Sequence, residues 1–265
     1  MTMIGWMLGV VACAAVAAGA AAQVGNDEGL APVLVYHRFG PSAADSMTVR
    51  TAMFAAQLEL LKDQGYAVVP LRQLVARIDG GAGRLPEKAV AITVDDGHRS
   101  VYSEMLPLVR RYRIPVTLFI YPSAISNASY ALTWAQLEEL RQSGWFDIQS
   151  HTYWHPNFRQ EKRRLSPDAY GELLRTQLVK PRRILAQRLG VDANLLAWPF
   201  GIYDEELIAA ARSAGYLAGF TLECRRPRPA DRLLALPRCL MTDAVGIGEF
   251  QQLLRPGVEA LRRRP

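Results

Sequence analysis

The stretch "KAVAITVDDG" (residues 88–97) decides the fold. From Ala89 to Val94 it is a short, unbroken run of apolar and β-branched residues, the pattern of a buried strand, and it stops on two carboxylates and a glycine. Outward from it the same unit recurs in both directions. Upstream lie "PVLVYH" (32–37), read as a buried strand, and "TAMFAAQLELLKDQG" (51–65), a helix whose Phe54, Leu58 and Leu61 share a face and which Gly65 ends. "YAVVP" (66–70) is the next strand and "LRQLVARI" (71–78) the next helix. Downstream, a helix through "YSEMLPLVRRY" (102–112) leads to the strand "PVTLFIY" (115–121). Thr133 caps the helix "WAQLEELRQSG" (134–144), and the strand "WFDIQS" (145–150) follows. The longest helix begins near "SPDAYGELL" (166–174), with Pro167 and Asp168 suited to its first turn, and ends at Gly190. "LLAWPFG" (195–201), "DEELIAAARSAG" (204–215) and "YLAGFTLE" (216–223) repeat the pattern once more.

About seven alternating β–α units with no Pro/Gly/Ser-rich linker predict parallel strands with helices outside them, in a single domain. The expected architecture is one closed or nearly closed β/α barrel, with a doubly wound open sheet as the alternative. Of the 265 residues 50% are hydrophobic and 21% charged, which excludes a disordered chain and allows a sizeable core. The net charge is +6, with the positive residues gathered in "RRPRPADR" (225–232) and "LRRRP" (261–265) instead of along a recognition helix. That distribution reads as a solvated loop and tail. It argues against a nucleic-acid binder and leaves an anionic cell envelope as a possible neighbour.

In a β/α barrel, functional side chains stand at the C-terminal ends of the strands. Three stretches fall there. In "TVDDG" (93–97), Asp95 and Asp96 would repel each other and lose hydration unless a cation or donors lie beside them. The plainer reading is a solvated turn in which Asp96 or a later residue caps a helix. In "QSHTYWHP" (149–156), His151 and His155 are four residues apart, a spacing that fits a helix face or a turn and does not by itself decide for a metal. In "AWPFG" (197–201), Pro199 and Gly201 fix a tight backbone. Together, one Asp and two His make a facial set that leaves positions on an ion open for water and substrate, the arrangement of a catalytic site.

In this order and spacing the three stretches resemble the first three motifs of the polysaccharide deacetylase family (NodB-homology domain, carbohydrate esterase family 4). The likeness spans roughly residues 31 to 245. "LTWAQLEELRQSG" (132–144) and "VLVYHRFG" (33–40) resemble the branch that deacetylates poly-β-1,6-N-acetylglucosamine in biofilm matrices. The resemblance implies a distorted (β/α)7 barrel and a secreted, metal-dependent N-deacetylase acting on N-acetylated polysaccharide. Carried over by position, Asp95 is the general base, and Asp96, His151 and His155 hold a divalent metal whose bound water is the nucleophile. Zinc is the expected ion, with cobalt, nickel or iron also suited to that donor set. The Phe200 backbone N–H is the oxyanion donor, a role that Pro199 cannot fill. Trp134, Trp198, Pro199, Arg238 and His37 are candidate substrate contacts, although core packing explains the two tryptophans equally well.

Two positions depart from the family pattern. Ala197 stands where many members carry an arginine that pairs with the base. In "ALPR" (235–238) Arg238 stands where a histidine acid is usual. Arginine is a poor proton donor, so Arg238 is expected to bind substrate or orient a carboxylate, and the acid is unassigned. The departures also motivate an alternative, a catalytically weak glycan-binding protein of the same fold. A hydrolase of some other amide is a third reading, because the ligands do not encode the acyl group.

Residues 1–22 read as a signal peptide with an Ala20-Ala21-Ala22 cleavage site, preceding a domain over 23–265. The uncharged start also fits an uncleaved anchor, and "VVAC" (10–13) resembles a lipoprotein box at Cys13. Cys224 and Cys239 flank the basic loop and read either as a disulfide closing it or as two buried thiols.

Overall fold

The computed structural model describes residues 30–255, so the signal-peptide and Cys13 expectations and the ends of the 23–265 domain lie outside the described residues. The strands are β1 (Val33–Tyr36), β2 (Arg38–Gly40), β3 (Thr48–Arg50), β4 (Ala67–Val68), β5 (Ala89–Val94), β6 (Val116–Ile120), β7 (Phe146–Ser150), β8 (Leu195–Ala197), β9 (Ala218–Phe220) and β10 (Cys239–Leu240). The helices are α1 (Thr51–Asp63), α2 (Leu71–Ile78), α3 (Leu106–Tyr112), α4 (Trp134–Gln142), α5 (Phe158–Arg164), α6 (Pro167–Leu189), α7 (Glu205–Ser213) and α8 (Ile247–Leu253).

One sheet runs β10-β1-β5-β6-β7-β8-β9, with β4 paired to β5 off that path. All of its pairings are parallel. It curls until a single bridge, Phe220 to Leu236, ties β9 to the segment that leads into β10. Thr221 N–H donates to Leu236 O (2.8 Å) and Leu236 N–H to Gly219 O (2.7 Å) on one side of that segment. On its other side β10 pairs with β1. This closure is the nearly closed β/α barrel that the alternation predicts and agrees with the distorted barrel that the resemblance implies, and it excludes the open sheet.

Two-residue periodicity sorts the side chains of each strand. From β5, Val90, Ile92 and Val94 join the large core beneath the helices. Ala89 and Ala91 face the barrel interior with Val33, Phe119, Leu195, Ala197, Ala218 and Phe220. Thr93 and then Asp95 continue that inward row. The same count makes His37, Tyr121 and His151 the inward residues just past β1, β6 and β7. The interior row of each strand thus delivers its next side chain to the mouth of the barrel.

Local signals set the helix ends. Thr133 and Gln136 form a reciprocal capping box on α4. Ser166 caps α6, Pro167 sits in its first turn and Gly190 closes it in the left-handed region at φ 64°. "YAVVP" contributes only a two-residue strand at the sheet margin. The helix expected through 102–112 opens with a π-helical turn, Val101–Met105, ahead of Pro107, which has no N–H for the preceding turn. The sequence reading did not separate β2, β3, α5, β10 or α8.

Two of the four arginines of the basic loop are paired with carboxylates of the protein. Arg225 pairs with Asp231 at 2.7 Å and Arg232 with Glu205. Cys224 and Cys239 form a disulfide across it. Reduction should lower the unfolding free energy by about 3 kcal/mol, the loop-closure entropy of a loop this size. Urea unfolding with and without reductant checks this, and superimposable transitions would contradict it.

Candidate active site

Asp95 is 2% exposed and still belongs to the β5 ladder, its N–H donating to Tyr36 O at 2.9 Å. Its two oxygens accept from Arg238 Nη1 and Nη2, both at 2.8 Å, in a bidentate pair. Arg238 is wholly buried. It also donates from Nη1 to Thr93 Oγ1 and from Nε to Thr221 O, both at 3.2 Å. Phe119 and Phe220 lie against its guanidinium, at 5.4 and 5.9 Å from their ring centroids. Burial alone pushes the Asp95 carboxyl up, but the charges of Arg238 and His151 and the Arg238 hydrogen bonds hold it down, to about 2.

After Asp95 the backbone turns sharply. Asp96 and Gly97 have φ of 73° and 72°. A Cβ on Gly97 would meet Ile120 Cγ2 at 2.9 Å, so the turn tolerates only glycine there. The turn aims Asp96 at the histidines, with its Oδ1 lying 3.5 Å from His151 Nε2 and 3.8 Å from His155 Nε2. His151 extends the β7 ladder through an N–H to Ile120 O bond of 2.8 Å. Its Nδ1 lies 2.8 Å from Ala197 O. A carbonyl only accepts, so Nδ1 carries the proton and Nε2 offers its lone pair to the site.

Thr152 and His155 are also left-handed, with φ of 67° and 62°. The loop that carries them is held by Thr152 Oγ1, which accepts from His155 N–H at 3.2 Å. Gln177 Oε1 of α6 accepts from the N–H groups of Tyr153 and Trp154 at 3.2 and 3.1 Å. Burial drives the His151 imidazole down to about 3 and that of His155 below its usual value, so both are neutral near pH 7. Burial raises Asp96.

Asp96, His151 and His155 form a group able to hold a metal ion, with one donor atom from each and all of these atoms within 4.8 Å of one another. Ligands about 2.1 Å from a shared ion stand about 3.0 to 3.4 Å apart. The two Asp96–histidine separations lie within about half an ångström of that range, and two neutral imidazoles with one carboxylate suit a divalent ion.

The other candidate residues divide. Phe200 is at φ 57°, and its N–H has no acceptor among the described residues. Its ring is 57% exposed and packs edge-on against His155, 4.6 Å between centroids. His37 is half-buried at the inward position that follows β1, the strand paired with β5, and its Nδ1 is buried without a partner. Three of the expected substrate contacts need correcting. Trp198 is 1% exposed, and its Nε1–H donates to Leu234 O at 2.8 Å, which makes it a core residue. Trp134 packs on the large core beneath the Arg188 guanidinium. Pro199 is buried in the turn that presents Phe200. Of the two roles expected of Arg238, it takes the second, orienting a carboxylate, and its burial leaves no surface for a sugar. Sequence reasoning missed Tyr121, whose ring lies 5.4 Å from that of His155. Its signal was available, because it is the inward position after β6. Gln177 had none.

The sequence profile of the family described as polysaccharide deacetylase matches residues 82–219. The chain is 27% identical over 253 residues to the poly-beta-1,6-N-acetyl-D-glucosamine N-deacetylase of Escherichia coli K12, covering 82% of this chain and 37% of that one. It thus spans little more than a third of that relative's length. The structure of IcaB from Ammonifex degensii superposes with a TM-score of 0.74 at 26% identity, over 86% of this chain and 96% of that one. The Streptococcus pyogenes deacetylase PplD, in complex with acetate, shares the fold with a TM-score of 0.75 at 24% identity, covering 85% of this chain and 98% of that one.

The His151 environment has a consequence for the metal-free protein. Its imidazole ionises at 6.5 when unhindered and near 3 in the fold, so the unfolded chain binds the extra proton between those values. The contribution of His151 to stability is therefore fully present above pH 6.5 and is lost as pH falls toward 3. Urea unfolding of chelator-treated protein across this range should give a falling stability. His151→Gln should flatten the slope, and an unchanged slope would contradict the burial argument.

Proposed function

We propose a reaction on this premise: the chain belongs to the polysaccharide deacetylase family. The proposed activity is hydrolysis of the acetamide of N-acetylglucosamine residues in a glycan, giving acetate and a free amine. Poly-β-1,6-N-acetylglucosamine is the preferred candidate, supported by the named relative. The observation that carries this reading is the convergence at one barrel mouth of a carboxylate fixed by Arg238 and a three-residue donor set beside it. A glycan-binding protein without turnover has no need of open positions on an ion.

Asp96, His151 and His155 would hold the divalent ion, and zinc is the ion proposed. When bound, such an ion polarises the acetamide carbonyl and lowers the pKa of water. The chain's own groups do the rest. Asp95, kept ionised by Arg238, takes a proton as water oxygen bonds to the carbonyl carbon. A carboxylate held this acidic keeps the proton only briefly. The Phe200 N–H stabilises the negative charge that develops on the former carbonyl oxygen. The C–N bond then breaks as the nitrogen gains a proton, and His37 is the proposed donor. Two of the four histidines are spoken for by the donor set, and His98 is tied through Nδ1 to Ser100 Oγ at 2.8 Å. His37 alone combines a place beside Asp95 across the β1–β5 pair with an unpartnered ring nitrogen.

The two departures from the family pattern offset each other in space. The guanidinium missing at Ala197 is supplied by Arg238, from the segment that closes the barrel. The proposed location is outside the cytoplasm. The leader-like residues 1–22 and the Cys224–Cys239 disulfide support it.

Purified protein supplied with divalent metal should release acetate from β-1,6-linked N-acetylglucosamine oligomers. Chelation should abolish release and added metal restore it. Asp95→Asn should lower kcat by about a hundredfold or more, and His37→Gln should also depress kcat more than KM. No acetate from β-1,6, β-1,4 and peptidoglycan-type substrates, with metal occupancy demonstrated, would overturn the reading.

A further inference from the structure

The loop 121–133 between β6 and α4 carries aromatic surface that neither the core nor the proposed chemistry uses. Tyr130 is 41% exposed. The backbone beneath it is nonetheless firmly tied. Arg99 N–H donates to Tyr130 O at 2.8 Å, Leu132 N–H to Gly97 O at 2.9 Å and Ser126 N–H to Leu132 O at 3.0 Å. His98 and Ala131 form an antiparallel bridge in the same place. One end of this clamp is therefore the turn that begins at Asp95 and Asp96.

The ring itself is fixed as well. It lies nearly parallel to the His98 imidazole, 6.3 Å between centroids and 8° between planes. Its hydroxyl meets the Tyr121 hydroxyl at 2.6 Å. Tyr121 in turn stands 5.4 Å from His155 and 6.3 Å from His151, ring to ring. An unbroken line of rings thus runs from the donor set to an exposed phenol face.

We propose that Tyr130, braced by Tyr121 and His98, is a sugar-stacking platform for the pyranose adjacent to the residue being deacetylated. The inference rests on the function proposed above and adds a second sugar to it. A β-linked pyranose presents a face of axial C–H groups, which an aromatic π-face attracts, while its equatorial hydroxyls stay in water or reach a phenol. One amphipathic ring with hydroxyl neighbours suits that ligand better than it suits an apolar protein partner, which would need a contiguous apolar patch. A rigid platform also binds without first having to be ordered. The enzyme then reads an oligosaccharide instead of a single amino sugar.

Acetate release from β-linked N-acetylglucosamine monomer, dimer and tetramer tests this, using metal-loaded parent enzyme, Tyr130→Ala, Tyr130→Leu and Tyr130→Trp. In the parent, kcat/KM should rise with chain length. Tyr130→Ala and Tyr130→Leu should raise KM for the tetramer about five- to tenfold, with the loss falling on KM and not on kcat. Tyr130→Trp should restore the length dependence. Unfolding transitions matched to the parent identify the variants that are compared, and Leu keeps bulk over His98 should Ala disturb the loop. If parental length dependence persists in Ala and Leu variants, the platform is wrong and the reaction stands. If the parent releases acetate from no oligomer, both the reaction and the platform are overturned.

Discussion

The buried pair between Arg238 and Asp95 is the constraint on which the site depends. A carboxylate and a guanidinium taken out of water each lose hydration worth several kcal/mol, and only near-ideal geometry compensates. Here both carboxylate oxygens are met at 2.8 Å, and Thr93 and Thr221 accept two further guanidinium N–H groups. Removing either partner would leave an uncompensated buried charge, a loss of about 3–5 kcal/mol. The pair also joins two parts of the fold. Asp95 ends the central strand, while Arg238 lies on the segment held to β9 through Leu236 and to β1 through Cys239. Closing the barrel and orienting the Asp95 carboxylate are therefore coupled, and the Cys224–Cys239 disulfide adjoins them.

Around this pair the backbone is bent where the chemistry collects. Of the six non-glycine residues with positive φ among the described residues, Asp96, Thr152, His155 and Phe200 lie at the mouth of the barrel. Each such conformation costs on the order of 1 kcal/mol or more and persists only where neighbouring contacts enforce it. For Thr152 and His155 the Thr152 hydroxyl and the Gln177 carboxamide, which hold the loop carrying both, supply such contacts. The structure thus spends local stability to aim two imidazoles and one carboxylate at a common point.

Much of this was legible in the sequence. The β–α alternation gave a barrel because each buried strand is short and each helix carries an apolar face. "TVDDG" and "QSHTYWHP" located the donor set because charge and imidazole at the end of an apolar strand are conspicuous. Trp198 was harder, since an aromatic beside a motif looks alike whether it faces a sugar or the core. Its role follows from a hydrogen bond to Leu234, which is distant in sequence. Arg238 was ambiguous for the same reason. Its partner is 143 residues away, and only barrel closure brings the two together. Tyr121 shows the reverse case, where a period-2 count along β6 would have placed its side chain at the mouth.

The most direct test of the Arg238–Asp95 pair as the positioning device for the proposed base is a double-mutant cycle on acetate release. The proteins compared are the parent, Asp95→Asn, Arg238→Gln and the double variant, each confirmed by a cooperative unfolding transition to be folded at the assay temperature. The expected result is strong non-additivity. Arg238→Gln should lower kcat/KM about a hundredfold in the parent, and less than about threefold once Asp95 is already asparagine. Equal losses in both backgrounds would contradict the account, because Arg238 would then act independently of the carboxylate it holds.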